Sequence, residues 1–177
     1  MTPGGPPALV VYESIYGNTR AVAEAIAKGL GDAPVSPVHE AEGSLADADL
    51  VVCGGPTHMH GLTTAMSRRM AVKAAEEDAH AAVEPGATEE RGLRQCLREL
   101  HGREGARAAA FDTRIDRPAA VTGSAARGIA RRLGRHGYEV IGTESFFVED
   151  AEGPLEDGEL ERARAWGAEL AKQLEST

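Results

Sequence analysis

Six consecutive residues, Ser14, Ile15, Tyr16, Gly17, Asn18 and Thr19, gather two aliphatic hydroxyls, a carboxamide and a glycine without a basic side chain. Such a set can hold a phosphate monoester when a helix begins directly behind it. The first turn of a helix offers unpaired N–H groups and the positive end of its dipole. A glycine lets the backbone approach the anion closely. The same residues also suit an ordinary turn and helix cap, and the chemistry alone leaves both readings open. The segment is neither a G-x-G-x-x-G fingerprint nor a P-loop, because G-K-[ST] is missing.

A second group, Pro56, Thr57, His58, Met59, His60 and Gly61, follows the apolar run Leu50 to Cys53. Two histidines two positions apart invite a metal reading. No cysteine or further histidine stands at ligand spacing from them, so no metal site is assigned. Ser14 lacks the G-x-S-x-G setting of a hydrolase nucleophile. No acid, base or nucleophile is assigned a catalytic role. A third group, Phe111, Asp112, Thr113 and Arg114, follows the alanine-rich run from Ala106. Arg114 can neutralise an anionic ligand or pair with Asp112 or Asp116.

These groups need elements to position them. Ala8 to Tyr12 is a short apolar run, read as a buried strand. Val22, Ala25, Ile26 and Gly29 recur at helical spacing, and Gly31 is a stop. Val35 to Val38 is a weak strand, preceded by Pro34 and interrupted by Pro37. Ser44 is positioned to cap a short helix, and Leu50 to Cys53 is a clear buried strand. The stretch from Gly54 to Gly61 reads as a loop. One helix is expected from Thr63 to about Ala82, broken near Pro85, and another from Glu89 to His101. Ala106 to Phe111 is a fourth strand, followed by a loop from Asp112 to Gly123. Ser124 opens a helix closed by Gly137, Tyr138 to Val148 contains a fifth strand, and Leu160, Ala163, Gly167, Leu170 and Leu174 mark a final helix.

This alternation predicts an α/β fold, a parallel sheet with helices on both faces. Residues 1–7 are expected to be a flexible tail and residues 8–177 a single domain. All three groups would then meet at the carboxyl edge of the sheet, where ligands bind in open α/β folds.

The segment Tyr12 to Thr19, YESIYGNT, resembles the phosphate-binding loop [ST]-x-T-G-x-T of flavodoxin-like proteins. Tyr16 takes the place of the middle threonine, a variant similar to WrbA-type quinone reductases and the flavodoxin domains of flavodiiron proteins. Gly55 to Gly61 resembles the G-x-P-T-x-x-G loop that holds one edge and face of the isoalloxazine, with His58, Met59 and His60 where simple flavodoxins often carry a Trp. The resemblance implies an open five-stranded sheet in the order 2-1-3-4-5, a three-layer sandwich, and FMN as cofactor. It places Ser14 to Thr19 at the phosphate, Pro56 to Gly61 along the flavin, and Phe111 to Arg114 at its other face. It also implies electron transfer or a small flavin-dependent reductase, with a redox partner protein or a small acceptor such as a quinone, and is compatible with a homodimer. The alternative is a scaffold or regulatory protein that keeps the fold while FMN binding has weakened.

A formal net charge of -9 argues against nucleic acid as partner. A basic partner protein is compatible with it. The two cysteines, Cys53 and Cys96, read as small buried hydrophobes. The start of the chain lacks signal-peptide character and no apolar run has the length of a membrane span, so a cytoplasmic location is expected. Glu149 to Gly158 reads as a solvated acidic turn, and Trp166 as a structural residue or an interface contact. Arg131, Arg132, Arg135 and His136 read as a solvated helix end, with contact to a nucleotide substrate or a partner as the alternative.

Overall fold

A computed structural model describes residues 7–41, 45–58, 60–78, 82–88 and 91–176. The elements in chain order are β1 (Ala8–Tyr12), α1 (Asn18–Gly29), β2 (Val35–Pro37), β3 (Leu50–His58), β4 (Gly61–Leu62), α2 (Ala65–Glu77), α3 (Leu93–Glu99), β5 (Arg107–Ile115), α4 (Ala119–Thr122), α5 (Ala125–Arg135), β6 (Glu139–Val148) and α6 (Glu159–Glu175). A single 3₁₀ turn, Leu45–Asp47, precedes β3. Its expected cap, Ser44, lies outside the described residues, as do Met59, residues 79–81 and the expected start of the helix at Glu89.

The sheet has six strands, not five. Five are parallel neighbours along β2-β1-β3-β5-β6, and β4 pairs antiparallel with the end of β3. The extra strand arises because β3 does not stop at Cys53. It continues through Gly54, Gly55 and Pro56 to His58, still paired with β5 as far as Pro56 opposite Thr113. The expected loop from Gly54 to Gly61 is therefore strand as far as His58 and again at Gly61. Likewise Asp112 to Ile115 extend β5 instead of opening a loop. The long helix expected from Thr63 is α2, which ends at Glu77.

Strand alternation divides the core. Leu9, Val11, Val51, Cys53, Ala108 and Ala110 face α3 and α5. Val10, Tyr12, Val52, Ala109, Phe111 and Phe146 face α1 and α6. The result is a three-layer sandwich with a mostly parallel sheet. Both cysteines are buried and free. Trp166 is a core residue, edge-on to Phe146 with centroids 6.1 Å apart. Gly54 lies under the Phe111 ring, where an added Cβ would come within 2.1 Å of Cζ. α1 and α6 touch backbone to backbone: a Cβ on Gly29 would meet the Arg164 carbonyl at 2.1 Å, and one on Gly167 the Ile26 carbonyl at 2.2 Å. By contrast α2 contributes no residue to either core cluster and exposes Met66 and Met70. Among the described residues no helix is long and apolar enough to cross a membrane.

Candidate functional site

From β1 the chain crosses to β2 on one side, then returns to β3 on the other. The α1 and α3 helices pack on opposite faces, so a crevice opens beyond the carboxyl ends of β1 and β3. A cavity of about 130 Å³ occupies it. Its lining includes Ser14, Ile15, Tyr16, Asn18 and Thr19 after β1, Pro56, Thr57 and His58 at the end of β3, and Thr113 and Arg114 on β5. Ile115, Val148 and Ala151 complete it. Residues of all three sequence groups therefore meet at one place.

The α1 helix starts at Asn18, and Gly17 enters it at φ 92°, the left-handed region that glycine adopts without a Cβ penalty. No side chain caps this helix among the described residues. The Gly17 amide donates to Ser14 Oγ at 3.1 Å, which leaves the Ser14 hydroxyl hydrogen available. Tyr16 turns its hydroxyl away and donates to the Ala71 carbonyl at 3.2 Å. Asn18 donates from Nδ2 to the Glu152 carbonyl at 3.0 Å. The Thr19 hydroxyl, buried, meets that of Thr113 at 2.7 Å.

Not every expected site residue lines the cavity. Phe111 is fully buried in the core, and Met59 lies outside the described residues. Gly61 is on β4, and His60, at φ 71°, pairs with Gly123. Asp112 is fully buried. Its Oδ2 accepts from Thr57 Oγ1 at 3.0 Å, Ser124 Oγ at 2.8 Å and the Ala126 amide at 2.9 Å. It thus satisfies the start of α5. Its Oδ1 has no hydrogen-bond donor among the described residues and lies 3.9 Å from Arg114 Nε. Arg114 itself is held by Ser145 Oγ at 3.1 Å and Thr122 Oγ1 at 3.2 Å, with its guanidinium 5.1 Å from the Phe147 ring centroid. The Asp112 pairing, not a free cation, is what the sequence left open at this position.

Sequence reasoning missed Glu13. It is buried at the end of β1, and its carboxylate accepts from the Leu93 amide at 2.8 Å and from the Thr63 hydroxyl, with Arg68 Nη1 at 3.4 Å. Burial raises its pKa above the ordinary value, against the lowering effect of the Leu93 amide and Arg68. It also missed Ile115, Val148 and Ala151. The parallel sheet was the signal for them, since β6 must end at the same edge as β3 and β5.

A larger hollow, about 260 Å³, lies beside Tyr12, Glu13, His39 and Glu84, off the crevice between β1 and β3. Its charges answer one another, Arg20 with Glu84 and Arg68 with Glu13. No group of three or more His, Cys, Asp or Glu side chains among the described residues is placed to hold a metal ion.

Residues 9–92 match the family model of the flavodoxin domain. No curated protein matches the sequence. An archaeal flavodoxin superposes with a TM-score of 0.62 at 19% identity, over 95% of this chain and 98% of its own. Flavodoxin 2 from Bacillus cereus gives 0.57 at 17% identity, over 94% and 98%. A Fusobacterium nucleatum flavodoxin mutant bound to flavin mononucleotide gives 0.51 at 12% identity, over 99% and 98%. This chain thus shares the fold of these flavodoxins.

Proposed function

We propose that this domain binds FMN at the crevice and acts in electron transfer or as a small flavin-dependent reductase. The observation that carries the reading is the uncapped start of α1 opening on a cavity lined from β1, β3 and β5. The amides of Asn18 and Thr19 and the hydroxyl hydrogen of Ser14 are the donors that would hold the phosphate. Pro56, Thr57 and His58 would flank the flavin, with Thr113 and Arg114 opposite. When bound, the flavin supplies the redox chemistry, and no catalytic acid or base from the protein is needed for electron transfer.

An enclosure of about 130 Å³ is smaller than the roughly 300–1,000 Å³ of pockets that enclose a whole ligand. The protein would therefore grip FMN by its phosphate end and leave part of the ring outside. An exposed ring suits exchange with a redox partner protein or a small acceptor such as a quinone. A cytoplasmic location and a homodimer fit this reading.

One observation favours a second reading, a scaffold with weakened FMN binding. The side chains of Tyr16, Asn18 and Thr19 are all committed to partners within the fold. Purified protein mixed with excess FMN, desalted and scanned through the visible range separates the two. A retained, structured flavin band supports the lead reading; a colourless protein after FMN addition overturns it in favour of the scaffold.

A further inference from the structure

On the outer face formed by α3 and α5 stand Arg94 and Arg98 of α3 and Arg131, Arg132 and Arg135 of α5. The chain holds 19 lysines and arginines against 28 acidic residues, so this concentration runs against its overall charge. Among the described residues none of the five pairs with a carboxylate. Arg94 donates to the carbonyls of Leu62 and Thr63, and Arg132 to the Gly128 carbonyl of its own helix. These bonds to neutral oxygens leave the charges in place. Glu99, the acidic residue on α3, is already engaged with Arg91 and Gln95.

Arg132 lies within electrostatic reach of the other four. Burial lowers the pKa of Arg132, and Arg94, Arg131, Arg135 and Arg98 lower it further. Charge at a helix C-terminus is favourable, which accounts for Arg132 and Arg135 in the last turn of α5. It does not account for a cluster spanning two helices. At one end the face continues into a groove of about 260 Å³ where Thr63, Thr64 and Gln95 stand beside Arg94 and Arg98.

We propose that the α3–α5 face is a docking surface for an acidic segment of a partner protein, whose carboxylates are received by Arg94, Arg98, Arg131, Arg132 and Arg135. Guanidinium groups suit carboxylates through paired, parallel hydrogen bonds. A short acidic segment brings its charge only to the patch. A nucleic-acid strand carries charge along its whole length and would run on over acidic surface. The surface lies apart from the crevice, so the proposal stands whether or not FMN binds.

The test uses the full chain and a fluorescein-labelled decapeptide of alternating glutamate and glycine, followed by fluorescence anisotropy at low and moderate salt. The triple variant Arg98→Gln, Arg131→Gln, Arg135→Gln changes exposed residues only. The control, Lys28→Gln, Arg164→Gln, Lys172→Gln, removes equal charge elsewhere. Binding that weakens with salt, falls at least tenfold in the first variant and stays within twofold in the control supports the proposal. Absence of binding at low salt, or equal loss in both variants, overturns it. So does tighter binding of a single-stranded oligonucleotide of the same charge. A wild-type dimer that the first variant dissociates, seen by sedimentation, assigns the face to a second copy and overturns it as well.

Discussion

The hydroxyls of Thr19 and Thr113 meet at 2.7 Å, joining the first turn of α1 to β5 across the floor of the crevice. Both residues are buried. Thr113→Val keeps the shape and leaves the Thr19 hydroxyl without this partner. A loss of about 1 kcal/mol is expected, read as a lower urea midpoint at unchanged slope. FMN affinity should fall with it, because α1 loses an anchor. Combined with Thr19→Val, the two changes should be less than additive, and strict additivity would show that the contact contributes nothing.

Asp112 answers three donors with one oxygen. Asp112→Ala strands the Ala126 amide and leaves the Thr57 and Ser124 hydroxyls to find other acceptors. A destabilisation of about 2–3 kcal/mol follows from unpairing buried polar groups. Asp112→Asn retains an acceptor oxygen and should lose less. Chemical denaturation of the three proteins checks the order.

Glu13 makes stability depend on pH. Its folded pKa is raised by burial above the ordinary 4.5, so in the window above 4.5 the folded state holds a proton that the unfolded state has lost. Unfolding then releases a proton, and stability falls as pH rises through that window. Glu13→Gln keeps an acceptor for Leu93 and cannot titrate. The difference between the wild-type and variant stability curves should slope in this direction between 4.5 and the folded pKa of Glu13 and level off above it; a difference independent of pH there would refute the assignment.

Gly167→Ala places a methyl carbon 2.2 Å from the Ile26 carbonyl, and backbone, unlike a side-chain tip, cannot swing aside. An overpacking cost of about 1–3 kcal/mol is expected. Gly61→Ala meets nothing within 4 Å and should be near neutral. Thermal melts of the pair test whether helix contact or general glycine loss matters.

Gly17→Ala tests the entry to α1. Its φ of 92° is strained for any residue with a Cβ, at a cost of about 1 kcal/mol or more. The nearest obstacle, Glu84 Oε1 at 3.0 Å, is a flexible side chain, so the backbone sets the penalty. FMN retention should fall by more than global stability does.

Local patterning made β1, α1, α5 and α6 readable, because each carries an apolar stripe with a defined end. The extended strands were not readable. Gly54, Gly55 and Pro56 carry turn signals, yet Gly54 stays in the ladder because the Phe111 ring fills the space above it. Only the tertiary neighbour reveals this. Asp112 likewise read as a loop residue, since nothing local announces that a strand-end carboxylate will answer the start of a helix. In the crevice, the β1 and β3 groups were visible as motifs. The Val148 and Ala151 contributions depend on where β6 ends, which strand register decides.

The glycine contact between α1 and α6 has a consequence for the order in which the domain packs. α1 is synthesised before α6, the helix that packs against its last turn at the far end of the domain. Until α6 emerges from the ribosome, Ile26 and Gly29 lack this backbone neighbour. The end of α1 remote from the crevice thus completes its packing only once the last helix of the domain has been made.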